Sequence, residues 1–338
     1  MKFELEDFDY NLPEELIAFK PLYPRDNARL MILAEKTGHN HFNDLPEFLL
    51  EDSVMVINKT KVLLARLFGE DVEGRGFEFL LLPACSRFDD FTFEALAKPR
   101  RKIKLNSKIL FTDEIYGEVI SFTEDGILIR FNVNGYEIMN SIGHVPLPPY
   151  IRRKDEIEDR SDYQTIFAKV EGSVASPTAG LHFDSDLIER IKNKGIKIVE
   201  IILHVGLGTF KPLTEETFKK NSLHSEYFEI PEEAAIELDF ALMNRKKVIS
   251  VGTTTVRALE TWMLNKKKLS GETDLFIKPG FNFKIVSGLI TNFHLPKSSL
   301  LMLVCSFGGY ARVLSAYKEA IEKRYRFYSY GDGMLIYP

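Results

Sequence analysis

Four of the seven histidines follow directly on an apolar residue in the C-terminal half: Leu181-His182, Leu203-His204, Leu223-His224 and Phe293-His294. Imidazole titrates near neutral pH, so each could move a proton under ordinary conditions. A lone histidine beside Leu or Phe is more often a core or strand-end residue with its hydrogen bonds satisfied. The surroundings of these four differ from ordinary core. Pro177-Thr178-Ala179-Gly180-Leu181-His182-Phe183 precedes a helix pattern, and His204-Val205-Gly206-Leu207-Gly208-Thr209-Phe210 follows a strand pattern. Thr291-Asn292-Phe293-His294-Leu295-Pro296-Lys297 packs hydroxyl, amide, imidazole and ammonium into seven residues. Ligand sites in open α/β sheets lie beyond the carboxyl ends of strands, where the His204 segment falls.

In Val251-Gly252-Thr253-Thr254-Thr255-Val256-Arg257 a strand runs into glycine, three threonines and a helix with Arg257 on its first turn. Free N–H groups, hydroxyls and the positive helix end would converge on an anion such as a carboxylate or phosphate. The competing reading is that the threonines only cap the helix. Gly206-Leu207-Gly208 suggests a dinucleotide loop, but Lys211 stands where a third glycine would be, and loop geometry explains a lone G-x-G better. Basic residues gather at Lys98, Arg100, Arg101, Lys102, Lys104 and Lys108, at Arg152-Arg153-Lys154, at Lys266-Lys267-Lys268, and at Arg312 with Lys323, Arg324 and Arg326. Most such runs are solvated faces. Tyr325-Arg326-Phe327-Tyr328-Ser329-Tyr330-Gly331-Asp332 interleaves aromatics with a cation, as a base-stacking surface needs. A strand with one core face is the other possibility.

These residues must be positioned by a chain of 338 residues, long enough for two domains. With 26 Phe and 13 Tyr it has ample apolar area to fold. A net charge of −5 argues against binding nucleic acid by bulk charge and leaves local patches for any such contact. Cys85 and Cys305 support neither a disulfide framework nor a structural zinc site. Met1–Leu12 is acidic and reads as no signal peptide. Leu300–Val304, the densest apolar run, is far short of the roughly 20 residues that span a membrane. A reducing cytoplasm is the expected compartment. Nothing implies an oligomer, so a monomer is expected.

Pro13–Ala18 reads as a helix start, and Leu30–Leu33 and Val54–Ile57 as buried strands. Over 63–150 the texture becomes alternating, as in Phe91–Ala97 and Ile127–Val133, and Asp125-Gly126 marks a hairpin with Ile115–Phe122. This stretch is expected to be an antiparallel β-barrel of about six strands, left through Pro146-Leu147-Pro148-Pro149. Helices are expected at Asp184–Lys194, Pro231–Asn244, Thr255–Leu264 and Ala311–Lys323, and strands at Lys197–Val205, Lys247–Val251, Leu300–Ser306 and Met334–Tyr337. The expectation is an α/β body with a largely parallel mixed sheet, residues 1–62 and 151–338, interrupted by the barrel at 63–150.

A dozen of these stretches in order resemble one family, the S-adenosylmethionine:tRNA ribosyltransferase-isomerases of queuosine biosynthesis. They include Asp7-Phe8-Asp9-Tyr10, Asn58-Lys59-Thr60-Lys61-Val62, Gly143–Ile151, Tyr163-Gln164-Thr165, Pro177–Phe183, His204–Phe210, His224-Ser225-Glu226, Gly252–Glu260, Thr291–Leu301 and Tyr325–Asp332. Departures are few: Lys59 stands for the usual Asp or Asn, and Ser299, Cys305 and Gly308 for Thr, Ser and Ala.

The resemblance implies an α/β body with a β-barrel. It also implies transfer of the ribosyl unit of S-adenosylmethionine to 7-aminomethyl-7-deazaguanine at the tRNA wobble position. S-adenosylmethionine is then a consumed substrate, tRNA is the partner, and neither a cofactor nor a metal is expected. The reaction needs a base for a C5′ proton beside the sulfonium and an acid for the departing adenine, expected among His204, Glu226 and His294. Thr253 and Thr254 with Arg257 are expected to hold the methionine carboxylate or a phosphate; Arg326, Tyr330 and Asp332 the modified base or sugar hydroxyls. Asn292 and Lys297 are further substrate candidates, and Lys98, Arg100, Arg101 and Lys102 candidates for RNA contact. A non-catalytic tRNA-binding protein would use the same basic and aromatic stretches. A Rossmann methyltransferase would need an early glycine-rich turn that residues 1–60 lack, and a metal hydrolase would need clustered ligands.

Overall fold

The computed structural model describes residues 3–83, 89–206 and 213–338; Cys85, residues 207–210 of the loop after His204, and Lys211 lie outside them. The chain divides into two compact units, a body of Met1–Thr60, Gln164–Val170 and Pro177–Pro338, and a second unit of Lys61–Tyr163 and Glu171–Ser176. Residues 151–163 and 171–176 therefore belong with the barrel, whereas the proline run suggested an exit at 150. The chain returns to the body twice, at Gln164 and again at Pro177.

In chain order the first strands are β1 (Arg29–Leu33), β2 (Thr37–His41), β3 (Val54–Asn58) and β4 (Thr60–Val62). Then come β5 (Arg66–Asp71), β6 (Gly76–Leu81), β7 (Thr92–Lys98), β8 (Lys108–Leu110), β9 (Tyr116–Phe122) and β10 (Ile127–Phe131). They are followed by β11 (Val170–Ser173), β12 (Lys197–Leu203), β13 (Glu226–Glu229), β14 (Val248–Val251), β15 (Ser270–Thr273), β16 (Val286–Asn292) and β17 (Gly333–Ile336). The α-helices among the described residues are α1 (Leu45–Phe48), α2 (Gly135–Ile142), α3 (Asp159–Asp162), α4 (Ser185–Asn193) and α5 (Glu215–Lys220), then α6 (Glu232–Met243), α7 (Thr253–Leu264), α8 (Ser299–Gly308) and α9 (Tyr310–Glu322).

The body sheet has nine strands in the order β15-β13-β12-β3-β14-β16-β17-β1-β2. Its centre, β12-β3-β14-β16, is parallel. β17 runs against β16 but along β1, and the margins are antiparallel. Val-Met-Val-Ile-Asn of β3 and Val-Ile-Ser-Val of β14 are buried at every position, as strands covered on both faces must be. One core joins Met55, Ile57, Ile249 and Val251 to Phe183, Leu187 and Ile191 of the α4 region. α4 starts where Asp184 accepts the Leu187 N–H at 2.8 Å, and Gly195, at φ +83°, follows its end.

β5–β10 form a closed barrel in the order β10-β7-β6-β5-β8-β9, every ladder antiparallel. The β9–β10 hairpin turns at the expected Asp125-Gly126, with Ile127 opposite Phe122. Phe77, Phe79, Phe93, Ile109 and Ile129 are buried.

Three local expectations fail. Leu300–Ser306 is the interior of helix α8, not a strand. Ser298 caps it by accepting the Leu301 N–H at 3.2 Å, and burial of residues 301–305 makes the run apolar all round, hiding the helical period. Pro13–Ala18 holds only a three-residue 3-10 turn, Glu14–Leu16. α7 begins at Thr253, which moves Arg257 from the first turn to the second. No single helix among the described residues is long and apolar enough to cross a membrane.

Candidate active site

Because β12, β3, β14 and β16 are parallel, their carboxyl ends share one edge of the sheet. That edge collects His204 after β12, Asn58 at the end of β3 with Thr60 two residues on, Gly252–Thr254 after β14, and Asn292 at the end of β16 with His294 just beyond. β17 is reversed, so Asp332 precedes its first residue at the same edge, with Gly333 opposite Asn292. Strands lie about 4.8 Å apart, which puts the ends of β12 and β16 roughly 14 Å from each other. His204 and His294 thus follow strands three spacings apart, on opposite sides of β14 and its glycine-threonine turn.

His204 is half-buried. Its Nδ1 is 2.8 Å from Thr60 Oγ1, its backbone N–H donates to the Tyr227 carbonyl, and its ring stacks on Tyr227 with centroids 5.7 Å apart. Nε2 has no partner among the described residues. Burial lowers the imidazole pKa below its ordinary value, while the charge of Glu229 acts in the opposite direction. Asn58 fixes the end of β12, its amide donating to the Leu203 carbonyl at 2.9 Å and accepting the Leu203 N–H at 3.1 Å.

Glu226, first residue of β13, accepts the Gly206 N–H at 2.8 Å through Oε1 and pairs with Arg257 Nη1 through Oε2. Arg257 also donates from Nε to the Leu275 carbonyl and from Nη2 to the Thr273 carbonyl, at 3.0 and 3.1 Å. The guanidinium expected to bind a substrate anion is thus engaged on all three nitrogens inside the protein. The pair borders a cavity of about 20 Å³ walled by Leu223, Leu275, Ile277, Leu300 and Leu303, with exposed His224 at its rim.

On the other side of β14, His294 is buried, with Nε2 2.7 Å from Thr291 Oγ1 and its backbone N–H on the Tyr317 hydroxyl at 3.0 Å. Burial pushes its pKa down to about 3. Thr178 donates to Asn292 Oδ1 at 2.8 Å, and the Asn292 amide lies 3.1 Å from Nε2 of His182. The His182 ring stacks on Phe42 at 4.2 Å, and burial, then the charges of Arg326 and Arg25, lower its pKa to about 3. Asn292 is thereby oriented from both ends.

Asp332, Arg326, Lys297 and Arg100 have protein partners. Asp332, fully buried, accepts from the Arg29 N–H, Arg29 Nε and the Arg326 N–H at 2.9, 3.1 and 2.7 Å. Tyr325, Phe327, Tyr328 and Tyr330 are buried in the body, so this stretch is core and presents no stacking surface. The Arg326 side chain donates to the Lys20 carbonyl. Lys297 is paired with Glu6 and Asp9 at 2.6 and 2.9 Å. In the barrel unit Lys98, Arg101 and Lys102 are exposed, whereas Arg100 donates to the carbonyls of Thr123 and Glu124. Two other basic runs are partly structural: Arg153 is bidentate on Asp159, and Arg312 donates to the Ala34 and Tyr337 carbonyls. Sequence reasoning had singled out neither Asn58 nor Thr60 for the site. The polar Asn58-Lys59-Thr60 right after an apolar strand was the available signal.

An open α/β sheet that gathers imidazoles and a helix start at its carboxyl edge, with a closed antiparallel barrel set into the chain, defines a two-unit α/β enzyme. The family model described as "Queuosine biosynthesis protein" matches residues 5–336, and the chain belongs to that family. A curated relative from Carboxydothermus hydrogenoformans, named S-adenosylmethionine:tRNA ribosyltransferase-isomerase, is 48% identical over 98% of this chain and 99% of its own length. A relative of the same name from Sulfurihydrogenibium is also 48% identical, over 98% and 99%. The crystal structure of an S-adenosylmethionine tRNA ribosyltransferase from Thermotoga maritima aligns with a TM-score of 0.56 at 34% identity, covering 98% of this chain and 99% of that one.

Proposed function

We propose that this chain transfers and isomerises the ribosyl unit of S-adenosylmethionine onto the aminomethyl group of 7-aminomethyl-7-deazaguanine at the tRNA wobble position. The product is epoxyqueuosine, with adenine and methionine released. The observation that carries the reading is the end-to-end match, 48% identical over 98% of the chain, to a relative bearing the name of that activity. S-adenosylmethionine is spent as substrate, and the chemistry asks for no cofactor or metal. The enzyme works as a cytoplasmic monomer.

The sulfonium acidifies the C5′ hydrogens, and the base that takes one is His204. In the tautomer whose Nδ1–H donates to Thr60, Nε2 is the basic nitrogen, and burial favours the neutral ring that a base must be. Glu226 acts through position: it holds the Gly206 N–H just after His204 and is itself held by Arg257. His294 and Asn292 shape the far side of the edge. The exposed Lys98, Arg101 and Lys102 contact phosphate.

The test is mass analysis of tRNA carrying the aminomethyl-deazaguanine after incubation with the protein and S-adenosylmethionine. A heavier nucleoside with adenine released in equal amount is expected. An unchanged nucleoside with no adenine refutes the reading, and tRNA binding without turnover would identify a non-catalytic tRNA-binding protein.

A further inference from the structure

α7 begins without a cap of its own. A helix start leaves its first N–H groups without intrahelical acceptors, and a Ser, Thr, Asp or Asn side chain at the N-cap usually takes one. Here the N-cap is Gly252, with φ +92° and ψ 151°, backbone that L side chains rarely adopt. The position is held for glycine and has no side chain to offer. Among the described residues no acceptor meets the N–H groups of Thr253, Thr254 and Thr255.

A second feature lies at the same place. Thr254 is 6% exposed, and its Oγ1 is buried without a hydrogen-bond partner. An unsatisfied buried hydroxyl costs stability, so a partner that arrives later is a reason for keeping one. Its neighbour Thr255 instead turns its hydroxyl back onto the Val251 carbonyl at 2.8 Å. The orphan lies beside the missing cap: a Cβ on Gly252 would stand 3.6 Å from Thr254 Oγ1 and 3.7 Å from Ala179 Cβ, its nearest neighbours beyond the two adjoining residues. A small group at this position would sit in ordinary contact between the end of β14 and the Pro177–Gly180 loop.

We infer that this cradle binds the α-carboxylate of S-adenosylmethionine, supplying from the substrate the cap the helix lacks. The inference rests on the reading of the substrate given above. A carboxylate is acceptor-only, with about four lone-pair sites, and three N–H groups and one hydroxyl match that number. The positive end of a 12-residue helix favours its charge. Burial decides against the other oxyanion at hand, a tRNA phosphate. Thr253 and Thr254 are each 6% exposed, which admits a terminal group but not a diester flanked by two sugars. Position agrees as well. The end of β14 is two strand spacings from that of β12, roughly 10 Å, so a carboxylate held here leaves the sulfonium and C5′ to extend toward His204.

The test is titration calorimetry on the full chain with S-adenosylmethionine and with its decarboxylated analogue, for the wild type, Thr254→Val and Thr254→Ser. Thr254→Val keeps the shape and removes the hydroxyl, so S-adenosylmethionine affinity should fall about 10- to 100-fold, the range for a hydrogen bond to a charged group. Binding of the decarboxylated analogue should not change, and Thr254→Ser should stay within a few-fold of wild type. The apo Thr254→Val protein should melt no lower than wild type, because it loses an unsatisfied hydroxyl. Equal loss for both ligands, or no loss for either, overturns the carboxylate assignment. Unchanged S-adenosylmethionine affinity with weaker, less salt-dependent tRNA binding overturns it in favour of a phosphate. A wild type that binds no S-adenosylmethionine would instead defeat the functional reading itself, and this inference with it.

Discussion

Glu226 and Arg257 form an ion pair whose side chains are only 4% and 6% exposed, so removing one partner strands the other charge away from water. In Glu226→Ala the guanidinium keeps the Leu275 and Thr273 carbonyls but loses its counter-charge, and the Gly206 N–H loses its acceptor. Breaking a buried pair from one side costs about 3–5 kcal/mol, and the lost backbone hydrogen bond adds about 1 kcal/mol. The body should lose about 4–6 kcal/mol, a large fraction of the stability of an ordinary domain. Glu226→Leu combined with Arg257→Met removes both charges and should return to within about 2 kcal/mol of wild type, because well-packed apolar replacements of buried pairs are often neutral. Urea unfolding followed by tryptophan fluorescence measures this. Trp262 is the chain's single tryptophan, fully buried on the same helix as Arg257, so the signal reports the body and not the barrel. Single variants within about 1 kcal/mol of wild type, or a double variant no more stable than the weaker single one, would refute the reasoning.

His204→Ala should reduce turnover by at least about 10²-fold. The wild-type rate should fall only on the acid side of about pH 6.5, because burial lowers the imidazole pKa and the base must be neutral; a kcat profile whose acid limb lies above pH 7 would contradict the assignment. His182 and His294, held near pKa 3 by burial, bind protons in the unfolded chain but not in the native one between about pH 6.5 and 3. Stability should therefore be complete above about pH 6.5 and fall as pH drops, each histidine adding a slope of up to about 1.4 kcal/mol per pH unit. Denaturant melts between pH 7 and 5 should show a shallower slope in His182→Gln and in His294→Gln. Replacing the exposed Lys98, Arg101 and Lys102 together by alanine should weaken tRNA binding and flatten its salt dependence by about two to three in log–log slope, at roughly 0.7–0.9 per phosphate. An unchanged slope in filter binding would remove these residues from the RNA footprint.

Legibility differed between layers for physical reasons. The barrel could be read because each strand alternates core and solvent, a period that no helix shares. The buried strands β3 and β14 stood out as short apolar runs with polar ends. α8 did not, since a segment buried all round has no period, although the Ser298 cap was in plain view. β2, Thr-Gly-His-Asn-His, carries no apolar residue because it is an exposed sheet edge. In the site, the histidine and threonine motifs were visible as types, but their partners were not. Arg257 meets Glu226 from 31 positions away, and Asp332 meets Arg29 from 303. Both expected substrate contacts became internal ones for that reason. The aromatic run at Tyr325–Asp332 went the same way: side chains that could stack on bases fill the core equally well.

Insertion of the barrel between β3 and the rest of the body also sets an order of events on the ribosome. The six barrel strands lie within residues 66–131 and pair with one another, so that unit can close while the remainder is still being synthesised. β3 must wait for its neighbours β12 and β14, over 130 residues later, and β1 cannot meet β17 until residue 333 has been made. Until then β3 has no partner strand and β1 only the exposed edge strand β2, a window in which a chaperone would find this nascent chain.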